Sequence, residues 1–504
     1  MKIMAFDLGT GGIKASLYNE GLQTLALTFS EYQTHYPAPG FHEQRPQDWW
    51  ESVSRCCRQL LEETGTDSRE IGCVALSGHS LVAVPVDKTG ACLMDSVPIW
   101  SDMRAEEEAL GFFQKIDKDQ WYMTTGNGFP AACYSIFKLM WLKKHNKDVY
   151  DRTYKVLGSK DYINQKLTGN MATDFSYISG CGAYNLKSHK LESAFLEAAG
   201  LSAELFPQIK KSHEIIGHVT PEAAQITGLK EGTPVACGGV DNACMALGAV
   251  GTGEGNAYVS LGTSSWIPVN SSAPILDKDK KTYVFAHIQE NMFTSAFSIF
   301  SGGNSFRWAR NSIGNWENGK PAEYDELCAL AKQSAPGAGG VIFNPSLAGG
   351  TSQDKSVNIR GAFINLNLST ERKDLIRATL EGITMNLKCS YDFMKEKSKL
   401  NDELMICGGG SKSPFWMQLF ADVFGIPIIK TNVDQDAASL GAAAIAARAA
   451  GLCKDYSILD SIRKTEQRYF PDPEKNAFYS KRTEVFRHIS EVLSDLGDYM
   501  QKAI

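Results

Sequence analysis

Two short glycine-rich segments are the first candidates for chemistry. The sequence LGTGG occupies residues 8–12 and LGTSS occupies residues 261–265, and each lies between two strand-like runs. Small residues let backbone N–H groups converge on one point, and such clusters of amides bind phosphate oxygens. A single glycine-rich hairpin is most often only a hairpin, but two matched tips favour a clamp for a phosphate chain.

Two carboxylates lie where such a clamp needs them. Asp7 precedes the first tip and could hold a hydrated Mg²⁺ beside the phosphates, because Mg²⁺ keeps several waters and takes few carboxylates. Asp241 stands in GGVDNA, residues 238–243, where a predicted strand meets a small-residue helix. There it either caps the helix or acts as a general base toward an attacking hydroxyl, with Asn242 hydrogen-bonded to the same polyol.

Two further glycine segments could approach a flat ligand. The run GGGSKSPFW, residues 408–416, precedes a predicted helix, and Gly302 and Gly303 precede a run that contains Trp308. Glycine lets a backbone approach a ligand closely. The triple glycine at 408–410 is by itself usually only a loop. In the other segment, we expect Trp308 to lie in the core.

The elements around these segments alternate between strands and helices, which indicates the α/β class. Gly9 and Gly262 lie 253 residues apart, half of the 504-residue chain. We therefore predict two related halves, residues 1–245 and 246–504, that face one cleft. The periodicity predicts hairpins over 2–19 and 256–269, strands over 71–76, 82–86 and 403–406, and helices over 48–63, 242–250, 371–389, 414–423 and 482–501.

Composition excludes several classes of protein. The formal net charge of −6 gives no whole-protein attraction to nucleic acid or to an anionic membrane. None of the 12 cysteines forms a CxxC pair, so neither a zinc site nor a disulfide framework is indicated. Asp7 falls where a signal peptide needs its apolar run, and no stretch of about 18 apolar residues follows. We expect a cytoplasmic protein with no nucleic-acid or membrane partner.

The same segments occur in the same order in a known family. FDLGTGGIKASLYN, GGVDNA, SLGTSS, GGGSKSPFWMQLFADVFG and AASLGAAAIAA resemble the motifs of the FGGY family of carbohydrate kinases, from residue 1 to beyond 450. Residues 135–145 are similar to the family's first signature, with a departure at Cys133. Residues 361–381 are similar to the second signature, with Asn365 in place of its central glycine.

The resemblance implies an actin-like ATPase fold, with a ribonuclease-H-like core in each of two domains. It implies ATP and Mg²⁺, a sugar or polyol acceptor bound by the first domain, Asp241 as catalytic base and Asp7 near the metal. It allows a homodimer, and a last helix that packs back on the first domain. The residues expected to contact the nucleotide are Gly9, Thr10, Gly11, Gly12, Lys14, Gly262, Thr263, Ser264, Gly303, Gly409, Gly410 and Ser413.

Within the family, TGN at 125–127, KDY at 160–162, LTG at 167–169 and residues 100–104 are most similar to xylulokinases, which implies a ketopentose such as D-xylulose as acceptor. One departure concerns the sugar pocket, because GHSL stands at 78–81 where bacterial xylulokinases tend to have GQMH. A structural role for His79, and a packing ion pair for Asp102 with Arg104, are equal alternatives to substrate contact. The residues expected to contact the substrate are His79, Ser80, Asp102, Arg104, Asp241 and Asn242.

The predicted reaction is transfer of the γ-phosphate of ATP to a sugar hydroxyl after the two domains close around both substrates. Another ketose, a sugar acid or a polyol is the alternative acceptor within the same fold. A catalytically silent sugar sensor is the alternative from another class of protein. A pure sensor, however, needs neither a metal carboxylate such as Asp7 nor a base such as Asp241.

Overall fold

The first half of the chain is built on a mixed sheet. The computed structural model describes residues 1–314, 316–317, 320–434 and 436–503. The strand Lys2–Leu8 pairs antiparallel with Gly12–Tyr18 on one side and parallel with Ile71–Gly78 on the other. In spatial order the strands of this sheet are Ile215–His218, Pro234–Ala236, Ile71–Gly78, Lys2–Leu8, Gly12–Tyr18 and Thr24–Glu31, with Gly239–Val240 added beside Ile71–Gly78.

The second half repeats this arrangement. Tyr258–Leu261 pairs antiparallel with Ser265–Ser271 and parallel with Leu404–Cys407. In spatial order its strands are Thr465–Tyr469, Ile428–Thr431, Leu404–Cys407, Tyr258–Leu261, Ser265–Ser271, Phe293–Ile299 and Tyr283–Ala286. In both sheets the first strand pairs antiparallel with its hairpin partner and parallel with a later strand. The two halves predicted from the tips therefore share the same strand arrangement.

Helices cover both sheets. Those of the first half are Pro46–Thr64, Glu106–Phe113, Lys118–Thr125, Ser135–His145, Lys147–Arg152, Ser159–Thr168, Phe175–Ile178, Ser193–Ala199, Pro221–Thr227 and Asp241–Val250. Those of the second are Gly302–Ser312, Tyr324–Lys332, Arg372–Lys397, Pro414–Phe424, Ala437–Ala449, Ile458–Ile462 and Pro473–Ala503. Two-stranded pairings complete the fold: Glu43–Gln44 with Val97–Pro98, Val84–Val86 with Lys155–Leu157, Ala172–Asp174 with Gln208–Lys210, Tyr184–Asn185 with Lys190–Leu191, Trp316–Glu317 with Lys320–Pro321, and Ile342–Asn344 with Ala362–Ile364.

Two alanine-rich helices connect the halves. Asp241–Val250 crosses Ala437–Ala449, and the latter also packs on Lys2–Leu8 and Ile71–Gly78 of the first sheet. The crossing is so close that a Cβ atom on Gly248 would collide with the Ala437 carbonyl oxygen. Since Asp241 begins one of these helices, the site and the contact between the halves share an element. The predicted division at residues 245/246 falls within this helix and stays a prediction.

The predicted hairpins, strands and helices listed above are present, with boundaries shifted by a few residues or, for the two longest helices, by up to nine. The last helix, Pro473–Ala503, makes its main contacts with Pro414–Phe424 and Arg372–Lys397 of the second half, whereas the resemblance allowed it to pack back on the first. Asn365 adopts φ +67°, a left-handed conformation that glycine favours and asparagine tolerates. That conformation explains why asparagine can replace the central glycine of the second signature.

Three sequence exclusions can be compared with the structure. Over the described residues, no helix is both long and apolar enough to cross a membrane. All 12 cysteines are free thiols. Within the described part of the chain, no group of three or more His, Cys, Asp or Glu side chains could hold a metal ion without other ligands.

Candidate active site

Side chains from three separate segments hold the first tip. The tip closes through the Gly9 N–H, which donates to the Gly12 carbonyl oxygen at 3.0 Å. The Tyr32 hydroxyl donates to the Gly9 carbonyl oxygen. Gln44 Nε2 donates to the Thr10 carbonyl oxygen at 2.6 Å, and Trp100 Nε1 donates to Thr10 Oγ1 at 2.9 Å. With these carbonyls occupied, the tip is rigid enough to present its remaining backbone amides to a ligand.

Sheet register brings Asp7 and Asp241 to one place. Asp7 pairs with Ser77 of the neighbouring parallel strand, and Ser77 pairs in turn with Gly239. Gly238 adopts φ +77°, and a Cβ atom there would collide with the Leu76 carbonyl oxygen, so the turn before Asp241 requires glycine. Asp241 then follows the strand end directly and is the first residue of its helix.

Both carboxyls have raised pKa values, and the charge of Asp7 acts on Asp241. Burial raises the pKa of Asp241 to about 7, and the negative charge of Asp7 adds to the rise. Burial also raises the pKa of Asp7, against the lowering effects of the Ser77 hydroxyl, which donates to Asp7 Oδ1 at 2.8 Å, and of Lys14. A carboxyl with a pKa near neutrality can accept a proton and pass it on at physiological pH.

The second tip borders a pocket of about 580 Å³. The Gly303 N–H donates to the Gly262 carbonyl oxygen and the Asn304 N–H donates to the Thr263 carbonyl oxygen, both at 2.9 Å. Ser413 caps the helix Pro414–Phe424 through its hydroxyl, which accepts from the Trp416 N–H at 3.3 Å. Six of the residues predicted to contact the nucleotide line this pocket together: Gly262, Thr263, Gly303, Gly409, Gly410 and Ser413. Ser264 is exposed at the tip beside them.

One segment contacts both groups of residues. Asp436 Oδ1 accepts from Lys14 Nζ at 2.9 Å, an ion pair between the first hairpin and the second half. Asp434 Oδ1 accepts from the Gly408 N–H at 2.5 Å, at the start of the triple glycine. Asp434 and Asp436 therefore link Lys14 of the first hairpin with the start of the triple glycine that borders the second pocket.

His79 and Ser80 are enclosed by the first half. His79 is 1% exposed, and its Nδ1 donates to the Leu8 carbonyl oxygen at 3.2 Å. Burial lowers the pKa of its ring to about 4, so the ring is neutral. Ser80 is 6% exposed. The enclosed ring fits the structural alternative for His79, and contact of either residue with a sugar stays a prediction.

Asp102 and Arg104 form the packing ion pair of the alternative interpretation. Arg104 Nε and Nη2 donate to the two oxygens of Asp102, each at 2.8 Å, and Nη2 also pairs with Glu43 at 2.6 Å. The guanidinium carbon lies 4.1 Å from the centre of the Phe41 ring. Asp102 is fully buried. Substrate contact by this pair stays a prediction, as it does for the half-buried Asn242, whose backbone N–H donates to Asp241 Oδ1 at 2.8 Å.

The carboxylate pair suits a hydrated Mg²⁺. Both groups offer hard oxygen donors, and both have pKa values raised by burial and by nearby negative charge. A dication beside Asp7 would offset that repulsion, and Mg²⁺ needs few protein ligands because it retains water and binds phosphate oxygens. The exposed tips and the pocket with its small-residue walls are likewise suited to a nucleotide.

Sequence reasoning did not find the residues that hold the site from outside its motifs. These are Tyr32 and Gln44 around Thr10, and Asp434 and Asp436 between the halves. Asp436 directly precedes the AASLGAAAIAA motif, and this position could have identified it as a candidate site residue. Tyr32 and Gln44 lie 22 and 34 positions from Thr10 and gave no signal, whereas Trp100 stands in the segment 100–104, which the sequence singled out without a role for Trp100.

Substitution of Gly303 should weaken nucleotide binding selectively. A Cβ atom on Gly303 would collide with the Gly262 carbonyl oxygen, so Gly303→Ala must push the second tip out of place. We expect KM for ATP to rise about tenfold, equivalent to about 1.4 kcal/mol, with little change in KM for the sugar. Gly111→Ala is the matched control, since a Cβ there meets no neighbouring atom within 4 Å. An unchanged KM for ATP in Gly303→Ala would show that the tip does not contact the nucleotide.

The fold and the site together define a class. The fold is that of an actin-like ATPase, with two repeated sheets that carry matched hairpin tips. The site adds a pocket at one tip and two carboxylates at the other. The FGGY family of carbohydrate kinases matches with its N-terminal domain over residues 2–248 and with its C-terminal domain over residues 257–450. The chain belongs to this family, and it is a sugar kinase.

Relatives agree on the family and differ in substrate. The chain is 27% identical to the xylulose kinase of Bacillus subtilis (strain 168) over 486 residues, which cover 96% of this chain and 94% of the relative. It is 26% identical to the gluconokinase of Bacillus licheniformis over 515 residues, which cover 99% and 97%. The crystal structure of ligand-bound xylulose kinase from Lactobacillus acidophilus superposes with a TM-score of 0.90 at 24% identity, covering 98% of each chain. The predictions of family, fold and enzyme class are confirmed.

Proposed function

We propose that the protein transfers the γ-phosphate of ATP to a hydroxyl of D-xylulose, with Asp241 as the general base. The observation that supports this most strongly is the Asp241 carboxyl, placed at a strand end beside Asp7 with a pKa of about 7. A general base works best when its pKa lies near the operating pH, because it then both accepts and releases the proton readily.

Each part of the site has a role in this proposal. Asp241 accepts the proton from the sugar hydroxyl as the oxygen attacks, and Asn242 orients a neighbouring hydroxyl. Backbone amides of the two tips and Lys14 hold the phosphate chain, while the pocket at the second tip holds the adenine nucleotide. Asp7 would hold a hydrated Mg²⁺, which when bound would supply positive charge to the transferring phosphate. Closure of the halves about the crossing of their two alanine-rich helices excludes water.

A neutral ketose is favoured over a sugar acid by the state of Arg104. A cation binds a sugar carboxylate most strongly, and Arg104 is the one cation among the residues predicted to contact the substrate. Its guanidinium is already paired with Asp102 and Glu43. Freeing it for a substrate would leave two carboxylates without their partner, one of them fully buried, which is costly. D-gluconate remains the second candidate because a gluconokinase is among the relatives.

A coupled ADP-release assay with D-xylulose, D-ribulose, glycerol and D-gluconate tests the substrate. We expect kcat/KM for D-xylulose to exceed that for D-gluconate by about 100-fold, a ratio that a site built around particular hydroxyl groups can reach. ATP without sugar is the control for hydrolysis. A preference for D-gluconate would overturn the substrate assignment. If no sugar in the panel raised ADP release above the control, a sensor would be favoured.

A further inference from the structure

A buried charged cluster contacts the short strand Gly239–Val240 that directly precedes Asp241. Lys160 Nζ is 2.5 Å from Asp161 Oδ1 and 3.1 Å from Asp174 Oδ1, and these three side chains are at most 1% exposed. Burial alone would lower the pKa of Lys160, but the two carboxylates raise it well above its usual value. Burying three charges is costly even when they are paired, so packing alone does not account for the cluster.

The cluster is hydrogen-bonded to the backbone on both sides of the turn before Asp241. Lys160 Nζ donates to the Cys237 carbonyl oxygen at 3.1 Å, and Asn164 Nδ2 donates to the same oxygen at 2.8 Å. Ser176 Oγ donates to Asp174 Oδ2 at 2.5 Å and accepts from the Val240 N–H at 3.0 Å. The segment 237–240 is therefore fixed at its first and last residues.

This segment needs external support. It contains Gly238 and Gly239, and glycine loses more conformational freedom on folding than any other residue. Gly239 and Val240 make up their strand and pair with Ser77 and Gly78, and the Cys237 and Gly238 N–H groups donate to the Glu214 and Ser212 carbonyl oxygens. Two ladder positions do not fix the direction in which the next side chain points, and a displacement of about 1 Å at a reacting group can cost about 100-fold in rate.

We propose that Lys160, Asp174 and Ser176 are positioning residues that hold the Asp241 carboxylate in its reactive orientation through the Val240 N–H and the Cys237 carbonyl. The inference rests on the proposed function, because it gives a role to residues that act through the general base. It assigns the KDY segment at 160–162, which the sequence showed only as a resemblance, to the chemistry of the site.

The same cluster reaches the predicted sugar side. Ser159 Oγ and the Tyr177 hydroxyl both donate to the His79 carbonyl oxygen, at 2.9 and 2.8 Å. Lys160 Nζ lies 5.3 Å from the centre of the Tyr177 ring. The same buried side chains are thus hydrogen-bonded to the backbone at Val240 and at His79. They hold Asp241 at a constant distance from His79 and Ser80, which are predicted to contact the substrate.

The test is Ser176→Ala, which removes the hydroxyl between Asp174 and the Val240 N–H. Ser212→Ala is the matched control, because Ser212 is also fully buried and its hydroxyl donates to the same Asp174 oxygen at 2.8 Å, while its contact with the segment before Asp241 is a backbone one, from the Gly238 N–H to the Ser212 carbonyl oxygen, that the substitution retains. We expect kcat to fall about tenfold in Ser176→Ala, with KM for ATP unchanged, and to stay within about twofold of wild type in Ser212→Ala at a similar loss of Tm.

A double-mutant cycle with Asp241→Asn separates positioning from a general structural effect. If Ser176 acts through Asp241, adding Ser176→Ala to Asp241→Asn changes the residual kcat by less than about twofold. The inference is overturned if the tenfold loss persists in the Asp241→Asn background, or if both serine variants lose activity equally. Near-wild-type turnover of Asp241→Asn alone would instead overturn the proposed base, so the two failures are distinguishable.

Discussion

Asp241→Asn should lower kcat for sugar phosphorylation by about 1,000-fold, within the range that general bases contribute. The amide preserves the shape of the side chain and can still accept from the Asn242 N–H, but it cannot take a proton from the sugar hydroxyl. We expect the Kd for ATP to stay within about threefold of wild type, because the nucleotide pocket is lined by residues of the second half. Steady-state ADP release and nucleotide titration measure the two quantities separately.

The control for this variant is its stability. Burial and the charge of Asp7 both disfavour the ionised form of Asp241, so a neutral amide there should leave Tm equal to or above that of wild type. A large fall in Tm would mean that Asp241 serves mainly to cap its helix. A kcat close to wild type at unchanged Tm would contradict the assignment of the base.

Asp7→Asn should be the second most damaging substitution. Asp7 pairs with Ser77, which pairs in turn with Gly239 close to Asp241. Its carboxylate directly precedes the first tip and suits a hydrated metal ion. We expect kcat to fall about 100-fold, comparable to the loss of one preorganised electrostatic group, and the Mg²⁺ concentration for half-maximal activity to rise at least about tenfold. Titration of activity with Mg²⁺ at saturating ATP measures both.

Ser77→Ala is the matched comparison for Asp7→Asn. It removes the hydroxyl that donates to Asp7 Oδ1 and leaves the carboxylate in place. Its Mg²⁺ requirement should therefore change by no more than about threefold. Equal shifts in the two variants would show that local packing, and not the carboxylate, determines metal dependence.

The parts of the fold that sequence predicted are those with local signals. The two hairpins were predicted because each combines β-rich runs with a small-residue turn, and Asp241 was singled out because GGVDNA marks a strand that ends in a helix. Asn365 was noted only as a departure from a signature, and its φ of +67° supplies the reason. Each glycine-rich tip predicts an antiparallel pair of strands. Because one such pair lies in each half of the chain, the two tips predicted that the halves share an architecture.

The parts that sequence did not predict depend on distant contacts. Trp308 was expected in the core and is 39% exposed, so that prediction was wrong. Phe306 and Ala309 occupy the buried face of its helix, and a residue two positions after Phe306 points to another side. The Lys160 cluster joins Asp174 and Val240 from segments up to 80 residues apart, and no local pattern reports such a meeting.

A crystal structure of the protein with a non-hydrolysable ATP analogue, Mg²⁺ and D-xylulose tests the central claim most directly. The account predicts the analogue in the pocket at the second tip, its γ-phosphate between the two tips, and one sugar hydroxyl within about 3 Å of the Asp241 carboxylate. A ternary complex in which the hydroxyl nearest the γ-phosphate contacts another residue, with Asp241 directed away from the sugar, would contradict it.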